Sequence, residues 1–164
     1  MSALLTMKNI KKSFSGVAAL KNAELELNKS EVVALMGENG AGKSTLMKIL
    51  TGIYSKDEGV ITFEGKEVEY KSVSESEEAG IAIVHQELNM MNDLTVAQNL
   101  FIGKERKKGF FIDDAKMAQD AKELFRKLNV DINPNVKIGN LTVGKQQMVE
   151  IAKAISTNAK VIVF

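Results

Sequence analysis

Nine residues constrain this chain more than any others. "GENGAGKST", Gly37 to Thr45, satisfies G-x-x-x-x-G-K-[ST] at every fixed position. The run before it, "EVVALM", is apolar and β-branched, and the run after it, "LMKIL", is apolar at helical spacing. This predicts a buried strand ending in Gly37, a tight loop, and a helix that buries Leu46, Met47, Ile49 and Leu50 and stops at Gly52. Gly37, Gly40 and Gly42 let the backbone take positive φ and approach a ligand closely. The loop N–H groups then converge into an anion nest, and the helix start adds about half a positive charge. Such a loop suits the phosphates of a nucleotide. Lys43 supplies a full charge where β- and γ-phosphates would lie. Ser44 offers a hydroxyl to Mg²⁺, a hard cation that prefers oxygen. Thr45 supports a phosphate from the next turn. The candidate binding residues are therefore Gly37, Glu38, Asn39, Gly40, Ala41, Gly42, Lys43, Ser44 and Thr45. The plain alternative, a glycine-rich turn with a solvated lysine, leaves both correct flanks unexplained.

Alternating and helical patterns surround this unit. "LLTMKNI" predicts a short strand, and Leu20 with Ala23, Leu25 and Leu27 predicts a half-buried one. "GVITFEGKEVEY" predicts a hairpin turning near Glu64-Gly65. "SVSESEEAG" predicts a short helix with Ser72 and Glu75 as a capping box and Gly80 at its end. "IAIVHQ" predicts another buried strand, and Thr95 with Gln98 a second capping box on a helix through Phe101. "IGKERKKGFF" predicts an exposed loop. "DDAKMAQDAKELFRKLNV" predicts an amphipathic helix with Met117, Ala121, Leu124, Phe125 and Leu128 on one face, broken by Asn133-Pro134-Asn135. "VGKQQMVEIAKAIS" predicts the last helix. "KVIVF" predicts a strand buried on both faces, as in a parallel sheet. The order implies an α/β protein with a mostly parallel core sheet.

Composition excludes several classes. At 45% hydrophobic and 26% charged, the 164 residues are not globally disordered, and one domain is expected. A net charge of +1 gives no overall pull toward nucleic acid or lipid. There is no cysteine, hence no disulfide and no thiolate metal site. No apolar run approaches the roughly 20 residues that span a bilayer. The N-terminus carries its charges after a short apolar stretch, unlike a secretory signal.

The stretch "LTVGKQQMVEIAKAI", Leu141 to Ile155, is the second constraint: a polar cap, a glycine, a Gln pair and an apolar helix face. Its helix start is again an anion site. Here the chain resembles the ATP-binding subunits of ABC transporters, whose signature usually reads Leu-Ser-Gly-Gly-Gln before a similar helix. Further elements match in order. Phe14, in "SFSGVAALKN", stands where the family stacks an aromatic ring on adenine. "GENGAGKST" stands at the Walker A loop, and "KVIVF" at the Walker B strand. Gln86, in "VHQE", stands at the Q-loop glutamine, which contacts Mg²⁺ and senses the membrane subunit. The signature departs from the common form, with Thr142 for Ser (retaining a hydroxyl cap), Val143 for Gly and Lys145 for Gln. That valine, with "MGENGAGKSTLMKILTGIY" and "GIAIVHQELN", is similar to importers of simple sugars of the ribose and galactose class. In these, two ATPase domains are fused in one chain.

The resemblance implies a P-loop NTPase fold of RecA-like type. Its mostly parallel sheet would carry an N-terminal antiparallel β subdomain and a helical insertion holding the signature. It implies a single nucleotide-binding domain over 1–164, incomplete at its C-terminus before the Walker B aspartate. Residues 1–88 would form the β subdomain and P-loop core, 89–157 the helical subdomain with the signature, and 158–164 the Walker B strand. The implied cofactors are ATP and Mg²⁺. Phe14 and the 37–45 loop would bind ATP, while Thr142, Val143, Gly144 and Lys145 would reach the γ-phosphate held by an opposite domain. Lys43 and Gln86 would be catalytic, and Ser44 and Gln86 metal ligands. The implied partners are transmembrane permease subunits, a second nucleotide-binding domain and, indirectly, a sugar-binding protein, with no nucleic acid. The place is the cytoplasmic face of the membrane. The parent would be an ATPase, and this piece is expected to bind ATP but hydrolyse it poorly.

Other readings fit less of the sequence. A translation or repair ATPase of the same family needs nucleic-acid contacts that a near-zero charge does not offer. A GTPase needs an Asn-Lys-x-Asp loop, and the signature helix has no role in a P-loop kinase. A bare nucleotide-binding module describes the piece but not a parent. His85 reads as structural, Lys104 to Lys108 as a solvated loop or a partner contact, and Met90-Met91 as a membrane-subunit contact or as core.

Overall fold

The computed structural model describes residues 3–84, 90–157 and 159–164. They fall into two units, Met1–Ala79 and Gly80–Phe164. The first is built on an antiparallel sheet. Strands β1 (Leu5–Phe14) and β2 (Val17–Leu27) form a long hairpin whose turn residues, Ser15 and Gly16, both take positive φ. β3 (Glu58–Phe63) pairs with the other edge of β1, and β4 (Lys66–Glu67) with β3. The β3–β4 turn falls on Glu64-Gly65 as expected, at φ 52° and 78°, the signs that a tight two-residue hairpin turn requires.

β1 changes phase along its length. Leu5 and Met7 are buried, but the next buried residue is Ile10. Asn9, at φ 54°, breaks the alternation, and the pairing register shifts there against both neighbours. One extra residue in a strand moves every later side chain to the other face. The bulge thus keeps Ile10 buried, as Ile61 and Phe63 of β3 are. It also explains Gly59: a Cβ there would lie 2.6 Å from the Asn9 carbonyl oxygen.

Helix α1 (Lys43–Leu50) buries Leu46, Ile49 and Leu50. It ends at Gly52, whose N–H donates to the Ile49 carbonyl while Ile53 N–H donates to Lys48. Helix α2 (Val73–Ala79) starts as predicted, with Ser72 Oγ accepting the Glu75 N–H. Its capping box does not close, because the Glu75 carboxylate takes the Lys71 N–H at 2.8 Å.

One expectation fails here. Residues 31–38 carry no regular structure. Val32 and Met36 are 97% and 91% exposed, where a buried strand was predicted. A strand buried on both faces needs hydrogen-bonded neighbours from distant sequence. Among the described residues, no strand pairs with this run. Its apolar character is local, but its partners are not.

The second unit holds the parallel component. β5 (Ile81–Ile83) lies parallel to β8 (Val161–Val163), with Ile81 opposite Val161 and Ile83 opposite Val163. The rest is helical. α3 (Val96–Phe101), α4 (Asp114–Lys127) and α5 (Val143–Ser156) pack around Val96, Leu100, Met117, Ala121, Phe125, Ile138 and Val149. α4 buries Met117, Ala121 and Phe125, as its spacing predicts. It ends earlier than expected, at Asn129 (φ 54°) rather than at Asn133-Pro134-Asn135. Asparagine tolerates the left-handed conformation that terminates helices. Pro134 serves elsewhere: its carbonyl accepts the Ala97 N–H of α3. The predicted exposed loop contains a small hairpin, β6 (Lys107–Lys108) with β7 (Phe111–Ile112). Among the described residues, no helix is long and apolar enough to cross a membrane.

Candidate functional site

The first candidate site is the loop into α1. Gly37, Gly40 and Gly42 take φ of 151°, 88° and 85°. Gly42 is the residue before the helix and cannot be replaced without movement. A Cβ there would lie 2.5 Å from Leu20 Cδ2 and 2.8 Å from the Ala19 carbonyl oxygen. The β2 strand therefore presses the loop closed from behind, and the sequence answers with a residue that has no side chain. Lys43 folds back into the loop. Its ammonium donates to the carbonyls of Gly37 at 2.7 Å and Glu38 at 2.9 Å. The charge predicted for phosphate is thus held at the loop, within the span of the motif.

The start of α1 is open. No side chain caps it, and no acidic residue stands in its first turn. The first N–H groups of a helix lack intrahelical acceptors, so an uncapped start presents donors. Ser44 is exposed, and its hydroxyl bonds no described residue. Open amides, a glycine cradle, a captive ammonium and a free hydroxyl together fit a nucleotide phosphate with a hard cation.

The second candidate site is the start of α5. Thr142 is its N-cap residue in extended conformation (φ −64°, ψ 154°). The hydroxyl cap expected of it is not made: no side chain caps this helix either. Thr142, Val143, Gly144 and Lys145 are all exposed, Val143 at 61%. A Cβ on Gly144 would meet nothing within 4 Å. The segment is positioned from behind by Gln146, whose Nε2 donates to the carbonyls of Ile138 at 3.0 Å and Leu141 at 3.3 Å. Gln146 was not singled out in the sequence as a site residue. Its role depends on the turn that precedes it.

Phe14 is 40% exposed and packs edge-on against Tyr54, ring centroids 5.1 Å apart. Lys12 Nζ lies 5.6 Å from its ring and is paired with Asp57 at 2.7 Å. Hydrogen bonds from Lys12 and from the Ser13 N–H hold the Asp57 carboxyl below its ordinary value. Phe14 is therefore fixed on one side and open to solvent. Gln86 and His85 lie outside the described residues. The methionine pair divides: Met90 packs on the helical core, whereas Met91 is 55% exposed.

Sequence reasoning missed Asn99. It is buried on α3, and its Oδ1 accepts the Met91 N–H at 2.9 Å. Its Nδ2 donates to the carbonyls of Met91 and Thr95. One amide thereby pins the backbone of Met91 from both sides. A buried polar side chain on an otherwise apolar helix face was the available signal.

Fold and loop define a P-loop nucleotide-binding cassette of mixed α/β type, with an antiparallel β subdomain at its N-terminus. Residues 20–164 match the ABC transporter family, and the chain belongs to it. It is 51% identical over 164 residues to the xylose import ATP-binding protein XylG of Geobacillus kaustophilus, covering 99% of this chain and 32% of that protein. It is also 51% identical over 160 residues to the galactose/methyl galactoside import ATP-binding protein MglA of Salmonella typhimurium, covering 98% of this chain and 32% of that one. The chain thus spans about a third of the length of the curated relatives it matches. Among solved structures, it resembles a nucleotide-free ATP-binding cassette from an ABC transporter, with 31% identity and a TM-score of 0.84 over 98% of this chain and 68% of that one. A cassette in its ADP conformation matches at the same identity and TM-score, over 99% and 68%.

Proposed function

We propose that this chain is the nucleotide-binding part of an ATP-driven importer of simple sugars. The observation that carries the reading is the start of α1, where the Gly42 cradle, the captive Lys43 ammonium and uncapped amides stand together. ATP is the proposed ligand. Its phosphates displace the Gly37 and Glu38 carbonyls as partners of Lys43, and Phe14 stacks on adenine. Mg²⁺ would neutralise phosphate charge, with Ser44 and Gln86 as its protein ligands. Thr142, Val143, Gly144 and Lys145 bind the γ-phosphate held by a second nucleotide-binding domain. The chain as a whole is one such domain, with 1–88 as β subdomain and loop core, 89–157 as the helical subdomain and 158–164 as the Walker B strand.

In the full protein, Lys43 and the loop amides stabilise charge on the γ-phosphate as water attacks in line. The partners are membrane-embedded permease subunits at the cytoplasmic face, and a sugar-binding protein is linked through them. The sugar class follows the relatives, which are import ATP-binding proteins for xylose and for galactose or methyl galactoside. These 164 residues bind nucleotide but hydrolyse it slowly. β5 and β8 carry no acidic side chain to hold the metal or orient water. A positioned general base is typically worth about 10²–10⁴-fold.

The test is a calorimetric titration with Mg-ATP, alongside phosphate release, on the wild type and Lys43→Ala. Losing a charge-assisted hydrogen bond of about 1.5–3 kcal/mol weakens binding roughly 10- to 100-fold. Equal binding by the variant would refute the site. Turnover matching an intact transport ATPase would refute the slow-hydrolysis reading.

A further inference from the structure

The β6–β7 hairpin is not used by any of the chemistry above, yet it is built with care at its base and left bare at its tip. Arg106, just before β6, donates to Asp120 of α4 at 2.9 Å and lies over the Phe101 ring of α3 at 5.0 Å. Its carbonyl accepts the Asp113 N–H at the far end of the hairpin. Lys116 also holds Asp120, at 2.9 Å. The base is therefore clamped to two helices. The turn is Gly109-Phe110, with Gly109 at φ 64° in the first position, as a tight hairpin turn favours. At this turn Phe110 is fully exposed, Phe111 is 80% exposed and Ile112 is 56% exposed.

Charge surrounds this apolar tip on one side. Residues 104–108 hold four cations and one carboxylate, although the chain as a whole carries only +1. Glu105 is folded back onto the Gly103 N–H. Lys107 and Lys108 are exposed and form no ion pair among the described residues. They stand opposite Ile112 and Phe111 across the hairpin, Lys108 next to the turn and Lys107 one residue further back. Each face of the hairpin thus presents an apolar side chain beside an ammonium.

We propose that this hairpin is a lipid-docking element that inserts Phe110 and Phe111 at the boundary of an anionic bilayer while Lys107 and Lys108 engage headgroup phosphates. A convex aromatic tip with a basic collar matches a surface that is apolar below and negative above. A groove on a protein partner would have to supply both features at fixed positions. This goes beyond the transporter reading, in which the chain reaches the membrane through other subunits.

The chain has no tryptophan, so Phe110→Trp installs a single fluorescent reporter. Its emission is expected to shift to the blue on vesicles of phosphatidylcholine mixed with phosphatidylglycerol, and far less on pure phosphatidylcholine. Co-sedimentation of the wild type with the mixed vesicles is expected to fall at least tenfold in Phe110→Ser/Phe111→Ser. At about 1 kcal/mol, or roughly fivefold, per lysine removed, Lys107→Ser/Lys108→Ser should lose about 25-fold. Circular dichroism of both variants should be unchanged, since the substituted side chains are exposed. No binding of the wild type to the anionic vesicles, or binding that both variants retain, overturns the proposal. So does concentration-dependent self-association that Phe110→Ser/Phe111→Ser abolishes, since it makes a second copy the occupant. The assay contains no nucleotide, so its failure is separate from any failure of ATP binding.

Discussion

Among the described residues, the five α-helices start in two different ways. α2, α3 and α4 are closed by their own side chains. Ser72 accepts from Glu75, Thr95 and Gln98 form a complete box, and Asp113 accepts the Lys116 N–H. α1 and α5 are open, with no side-chain cap and no acid in the first turn. Both instead place a lysine there, Lys43 and Lys145. A cation near a helix start opposes the macrodipole, and a missing cap forgoes about 1 kcal/mol. The two starts that are less stable by themselves are the two that the motifs single out. Closed starts serve the fold. Under the proposed function, open ones keep donors and positive charge for an anion from outside.

Substitutions can break this contrast. The largest effect is expected from Gly42→Ala, which places a Cβ against Leu20 and Ala19 at φ 85°. The left-handed backbone alone costs about 1–2 kcal/mol, before any clash. Mg-ATP affinity should fall at least tenfold in calorimetry and the melting temperature should drop. Wild-type affinity would mean that the cradle does not hold phosphate.

Next comes Thr95→Ala, which opens a closed start. It should cost about 1–2 kcal/mol in urea unfolding and leave nucleotide affinity unchanged. A loss of affinity would show that closed starts are not purely structural. Thr142→Asp does the reverse by closing α5. It should stabilise the chain by about 0.5–1 kcal/mol, read as a rise in melting temperature. A lower melting temperature would mean that the α5 start is not waiting for an acceptor.

The smallest effect concerns Asp120. Hydrogen bonds from Arg106 and then Lys116 hold its carboxyl below the ordinary value. The stability it contributes is therefore fully present above the ordinary aspartate pKa and is lost as pH falls through the lowered folded value. Solvent reaches all three side chains, so the contribution is that of a surface pair, about 0.2–1 kcal/mol. Asp120→Asn should be slightly less stable than wild type near neutrality, and equally stable once the pH is below both values. A difference that persists in acid would assign the effect to packing.

Much of this was legible along the chain because the causes are local. The Thr95–Gln98 box, the Glu64-Gly65 turn and the buried face of α4 each depend on residues a few positions apart. So does the 37–45 loop, whose glycines take positive φ and whose Lys43 bonds the loop's own carbonyls. The Thr142 cap is not legible in the same way, because a hydroxyl three residues from a free N–H can bond it or leave it open, and only the side-chain orientation decides.

Local pattern alone carries the loop's glycine conformations, the helix periods, the hairpin turn at Glu64-Gly65 and the resemblance to the family. Long-range packing sets the rest. It shifted the phase of β1 through a bulge at Asn9, pressed β2 against Gly42, pinned Met91 with Asn99 and raised a clamped hairpin out of a predicted loop. It also left 31–38 unpaired where the local pattern predicted a strand. The physical reason is the same in each case. Hydrophobicity and backbone preference are properties of neighbours in sequence, whereas pairing partners, close approaches and clamps come from residues tens of positions away.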